Sequence, residues 1–215
     1  MTCLIARMAP TWPPARMWRQ GPWMLRDGAG GGGRVSAATL EGEYDGAPPP
    51  LVMVRGDEAR LDAALADLGY TVEDESVTYC APVGGLAGAS RAVAEWPVPD
   101  VTLAMWALSG KVGPPRLAVM DRVAGRKCVI AEEGGAGFVA LNGDLAVLHA
   151  LEVAQTHRRR GIARDLLRGA ALWAQQQGAA QLALVVTTAN HPARALYVAA
   201  GMTECGRYHY RKAAA

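Results

Sequence analysis

The sequence predicts a mixed α/β fold of the α+β kind, with helices and strands following one another irregularly. Three observations carry that expectation. Apolar residues recur at the helical period at Leu61, Ala64, Leu65 and Leu68, and again at Ile162, Leu166, Ala170 and Trp173. Short apolar runs at 51–55, 127–132 and 181–186 read as strands. Glycines at 69, 178 and 201 stand where helices should stop.

The elements follow in order. Residues 12–40 read as strands, with 23–27 and 35–40 flanking Gly28-Ala29-Gly30-Gly31-Gly32-Gly33. The glycine run matches G-x-G-x-x-G, but a dinucleotide site needs a helix directly behind it. Residues 35–40 look like a strand instead, so a hairpin turn is expected. After Pro48-Pro49-Pro50 comes the strand 51–55, then a helix capped by Asp57 and ended by Gly69. Residues 70–81 read as a strand returning to the same sheet. Residues 82–100, rich in Gly, Ala and Pro, read as a linker.

The second half reads as helices at 101–108 and 115–123, then strands at 127–132, 137–141 and 146–153. Asn142-Gly143 marks a hairpin. A helix at 161–175, a strand at 181–186, a helix at 192–200 starting on Pro192, and a strand at 208–211 complete it. Two units are expected, residues 1–95 and 96–215.

Composition narrows the function. The chain has 215 residues, 51% apolar and 20% charged, enough to bury a core without disulfide or metal. Its net charge of +2 conceals a split. Residues 1–100 carry 8 basic and 13 acidic side chains, and residues 101–215 carry 14 and 7. Cys3, Cys80, Cys128 and Cys205 lie far apart and form no C-x-x-C, so free thiols in a reducing cytoplasm are expected. The start lacks a basic segment followed by an apolar one, so no signal peptide is read there. The uncharged stretch 169–193 holds Gln175, Gln176, Gln177 and Asn190 and is too polar to cross a membrane.

The strongest chemical signal is a strand, a basic loop and a helix start: Leu148-His149-Ala150-Leu151-Glu152-Val153, then Arg158-Arg159-Arg160-Gly161-Ile162-Ala163. A helix N-terminus presents unpaired N–H groups to an anion, and arginine forks add charge. A solvated basic turn is the plain alternative. Here the sequence resembles the GNAT acyltransferase superfamily. Arg158 to Ala163 fits its Q/R-x-x-G-x-G/A motif, which cradles the pyrophosphate of acetyl-CoA. Asn190, Ala193, Leu196-Tyr197 and Gly201-Met202 stand like its N-x-x-A-x-x-L-Y-x-x-x-G-F, with Met202 in place of the commoner Phe. The resemblance covers about residues 101–215. It implies a central mixed, largely antiparallel sheet flanked by helices, and the element pattern of residues 1–95 puts a smaller α+β half before it.

The resemblance also implies roles. Acetyl-CoA would be the cosubstrate, without a metal, and its binding residues would be Leu151, Glu152, Val153, Arg158, Arg159, Arg160, Gly161, Ile162, Ala163, Arg164 and Asn190. Leu151 and Val153 would act through their backbones. Tyr197 would be the general acid; a core tyrosine is the alternative. His149 and Glu152 are candidates for accepting the amine proton, against a core histidine and a surface ion pair. The segment 148–153 also looks like one in the arylalkylamine N-acetyltransferases, where a histidine matching His149 has been considered for the proton path. The second histidine of that pair falls at Val147. Asn190 suits helix capping as well as a contact to pantetheine.

The expected function is N-acetyl transfer from acetyl-CoA to a primary amine by direct attack, with an unidentified amine acceptor and no nucleic-acid or membrane partner. A homodimer is compatible with this. A non-catalytic acyl-CoA-binding or sensing protein is the alternative; a nucleic-acid binder lacks basic–aromatic interleaving. Residues 51–70 can be laid on 183–202 without a gap, so residues 1–95 are expected to be either a degenerate GNAT-like half or an unrelated α+β extension.

Overall fold

Alternating apolar strands and amphipathic helices condense around an eight-stranded sheet in the computed structural model, which describes residues 4–214. Cys3 lies outside the described residues; Cys80, Cys128 and Cys205 are free. The first half contains α1 (Leu4–Met8), a 3-10 turn (Ala9–Thr11), β1 (Arg16–Gln20), β2 (Trp23–Asp27), α2 (Gly33–Ser36) and β3 (Thr39–Leu40). β4 (Leu51–Arg55), α3 (Ala59–Asp67), β5 (Thr71–Pro82), α4 (Val83–Leu86) and β6 (Val93–Glu95) follow. Then come α5 (Asp100–Ser109), α6 (Pro114–Arg122), β7 (Lys127–Glu132), β8 (Gly135–Asn142) and β9 (Leu145–Val153). α7 (Ile162–Gln176), β10 (Gln181–Thr187), α8 (His191–Ala199) and β11 (Thr203–Lys212) complete the chain.

The sheet runs β4-β11-β5-β10-β9-β8-β7-β6. Its neighbours are antiparallel except β9 and β10, which are parallel. It is therefore the mixed, largely antiparallel sheet expected. α7 buries Ile162, Leu166, Leu167, Ala170 and Ala174 against one face, together with Tyr197 of α8. Trp106 of α5 and Val119 and Met120 of α6 cover the other face with Phe138. β1-β2-β3 form a small second sheet, tied to β4 by a parallel bridge from Ala38 to Val52.

Four local expectations are corrected. Residues 35–40 are not one strand: Gly33–Ser36 is a single helical turn, and Thr39–Leu40 alone pairs with β2. A Cβ at Gly33 would lie 3.0 Å from the ring of Tyr210, so the glycine run lets this turn press onto β11. α3 is capped at Glu58 rather than Asp57, and the Glu58 carboxylate is drawn away to accept from the Arg55 amide at 2.7 Å. The stretch read as a linker holds α4 and β6, with β6 pairing β7 at the sheet edge. The β8–β9 hairpin turns on Gly143 and Asp144, one residue later than Asn-Gly implies, with Gly143 at φ +60°.

The centre of the sheet has a local two-fold. β4 pairs β11 as β10 pairs β5. Arg55 stands opposite Tyr208 as Thr187 stands opposite Ser76, and Ser76 and Tyr208 face each other at the centre. The ungapped overlay of 51–70 on 183–202 keeps this register and lays α3 on α8.

Candidate active site

β9 and β10 pair only from Leu145–Gln181 to Leu148–Leu184, and then separate. The cause is local to β9. His149 faces Phe138 and Glu152 faces Ala136, so Ala150 and Leu151 bulge, with Ala150 at φ +51°. The opening is a groove lined by Ala150, Leu151, Glu152, Val185, Asn190 and Tyr197, among others. The bulge leaves strand-edge backbone groups free to pair with an extended ligand.

Beyond the groove the chain makes a 3-10 turn at Gln155–His157 and starts α7. Gly161 is the N-cap residue at φ +82°, with open space where a Cβ would stand, and no side chain caps the helix. The first amides of α7 have no intrahelical acceptor and aim outward. Arg158, Arg159 and Arg164 border the same hollow with Ile162, Ala163 and Val153; Arg160 is exposed outside it. This arrangement fits an anionic diphosphate: a conformation that glycine tolerates, unused donors and cationic side chains at one point.

The structure sorts the other candidates. Tyr197 is 5% exposed, and burial pushes its phenol up to about 12, so it stays protonated at neutral pH. Its ring packs against Tyr79 at 5.7 Å. The Asn190 carbonyl oxygen accepts from the Ala193 amide at 3.3 Å, so Asn190 caps α8 while it borders the groove. Glu152 also borders the groove and pairs with Lys111 at 3.1 Å and Arg158 at 3.7 Å.

His149 faces away from the groove into an adjoining chamber. Arg34 can only donate, so its Nη2, at 2.7 Å, donates to Nδ1. Nε2 therefore carries the proton and donates to Thr11 Oγ1 at 2.9 Å, while Thr11 donates to the Met8 carbonyl. The ring also stacks on Trp12 at 4.9 Å. Burial, then the Arg34 charge, hold the imidazole well below its ordinary pKa. It is neutral, and both nitrogens are engaged.

Sequence reasoning missed Lys111, Thr11, Trp12 and Arg34. Each reaches the region from a distant segment. Arg34 alone had a signal, as the charged residue that ends the glycine run.

The model of the acetyltransferase (GNAT) family matches residues 92–202. Streptothricin acetyltransferase of Streptomyces lavendulae is 40% identical over 75 residues, covering 33% of this chain. The match spans only 40% of that relative's length. A GCN5-related N-acetyltransferase from Kribbella flavida superposes with a TM-score of 0.71 at 15% identity, over 100% of this chain and 97% of that one. A tandem GNAT protein from the clavulanic acid biosynthesis pathway gives 0.56 at 14% identity, over 99% and 89%. At these identities the two structures show the fold.

Proposed function

Since the chain belongs to the GNAT acetyltransferase family, we propose that it transfers an acetyl group from acetyl-CoA to a primary amine by direct attack in a ternary complex. The observation that carries the reading is the parting of β9 from β10, where a strand bulge and a buried phenol share one groove and an anion-binding turn lies at its end. Acetyl-CoA supplies an activated acyl group when bound. The turn at Gly161, with Arg158, Arg159, Arg164 and the amides of Ile162 and Ala163, holds its pyrophosphate, and Arg160, expected to join them, lies outside the hollow. The backbones of Leu151, Glu152 and Val153 and the Asn190 amide hold the pantetheine arm.

Tyr197 acts as general acid toward the leaving sulfur, a role for which a phenol that stays protonated is suited. Of the two candidates for the amine proton, Glu152 borders the groove and takes the proton through water. His149 is a positioning residue, because neither nitrogen has a lone pair to spare.

Residues 96–215 are the acetyltransferase half in this reading, and residues 1–95 a degenerate copy. The two-fold registers support this. So does the loop between β3 and β4, which contains no helix where α7 stands between β9 and β10. The first half thus lacks the phosphate-holding turn.

The test is calorimetric binding of acetyl-CoA together with a CoA-thiol release screen against an amine panel. Binding with acceptor-dependent thiol release is expected. Binding without release from any amine would make the chain an acyl-CoA-sensing protein, and no binding would remove the reading altogether.

A further inference from the structure

The groove opens into a chamber, and the two share Arg116, Ala150, Val185, Val186 and Thr187 as walls. An acceptor whose amine reaches the groove has room for its remainder in this chamber. The chamber is polar, bordered by Arg34, Asp74, Ser76, Tyr208 and Tyr210.

Its charge is unbalanced on one side. Arg34 makes no ion pair among the described residues, whereas Arg55, Arg194 and Arg211, in comparable half-buried settings, each pair with a carboxylate. The protein partner of Arg34 is His149, which is neutral and offsets no charge. Trp12 adds its ring face at 5.5 Å. The Arg34 Nε is buried with no acceptor among the described residues. Arg116 donates to the Lys111 carbonyl and pairs with no carboxylate among the described residues. Asp74 borders the chamber too, but makes no ion pair with either arginine. A cation held this firmly without a counter-charge is costly unless something supplies one. Within a substrate chamber, the substrate is the natural source.

We propose that the acceptor is an amine that also carries an anionic group, and that Arg34, aided by Arg116, binds that group in the chamber while the amine enters the groove. The Thr11–His149–Arg34 chain orients the guanidinium, which gives the first half of the molecule a specificity-determining part in the reaction. A carboxylate and a phosphate share the chemistry an arginine fork recognises. The inference rests on the transferase reading above.

The experiment compares α-amino acids, their decarboxylated amines and aminoalkyl phosphates as acceptors, by thiol release from acetyl-CoA. The anionic members should exceed the matched neutral-tailed amines at least tenfold in kcat/KM, and the ratio of amino acids to phosphates identifies the group. Arg34→Gln should abolish this preference mainly through KM, Arg34→Lys should restore part of it, and acetyl-CoA affinity should be retained in both. Arg116→Gln, at an exposed residue, should reduce the preference and serves if Arg34→Gln does not fold. Decarboxylated amines that work equally well, or a preference that survives both glutamine variants, would overturn the proposal and leave the transferase standing. Acetyl-CoA binding with no release from any acceptor would overturn both.

Discussion

At the scale of single residues, the buried titratable groups make two predictions. Tyr197→Phe removes the phenolic proton and little volume. Turnover should fall roughly 100-fold, the lower range for a general acid, while the acetyl-CoA dissociation constant stays the same. With the phenol at about 12, the wild-type rate should show no alkaline fall from this group at ordinary assay pH. Steady-state kinetics and calorimetry on the variant check this, and unchanged turnover would remove Tyr197 from the mechanism. His149 predicts a pH effect on stability. Its pKa is depressed in the folded chain, so below about 6.5 the unfolded chain takes up the proton first. Stability present above that pH is therefore lost as pH falls, by up to about 1.4 kcal/mol per pH unit for one proton. His149→Gln can still accept from Arg34 and donate to Thr11 but does not titrate, so its stability should decline less. Urea unfolding at pH 7.5 and pH 5.5 compares the two, and parallel curves would contradict the buried neutral state.

At the scale of elements, the turn into α7 carries the sharpest expectation. Gly161 sits at φ +82° with nothing within 4 Å of the point a Cβ would occupy, so Gly161→Ala meets strain but no clash. Holding alanine there should cost about 1–2 kcal/mol, lowering the melting temperature by a few degrees for a chain of this size. Acetyl-CoA affinity should fall about tenfold as the turn relaxes away from the conformation that presents its amides. Thermal melts with and without acetyl-CoA separate the two effects, and unaltered affinity would count against the turn as the phosphate site. This element was legible in the sequence because its signals are local: a basic run, one glycine and a strong apolar stripe from Ile162 to Trp173. β6 was not, since Val93–Glu95 is three exposed residues that become a strand only by pairing with β7. The turn at Gly33–Ser36 was hidden for a related reason. Four residues show no period, and their conformation depends on Tyr210, far along the chain. The site divides in the same way. Tyr197, Asn190 and the 158–163 turn were marked by the resemblance to the GNAT motifs, whereas the Thr11–His149–Arg34 chain exists only once three distant segments meet.

At the scale of the whole molecule, the two halves depend on each other through the sheet. β11 lies between β4 and β5, and β5 separates β11 from β10. The last strand of the second half therefore has hydrogen-bonded neighbours only from the first half. The ladder from Gln181–Pro82 to Thr187–Ser76 covers the edge of β10, which also forms one wall of the groove. A chain cut to residues 96–215 would keep the 158–163 turn and Tyr197 but leave β11 without its ladder partners and β10 as an open apolar edge carrying Leu182, Leu184 and Val186. Exposed edges of this kind pair with other chains. The cut chain should therefore elute as oligomer or aggregate in size-exclusion chromatography and fail to bind acetyl-CoA. Adding residues 1–95 during refolding should restore both the monomer-sized species and binding, because β5 can re-enter between β10 and β11 and β4 can pair the other edge of β11. A soluble 96–215 monomer that binds acetyl-CoA unaided would mean that the first half is dispensable to the groove, leaving only its contribution to the chamber.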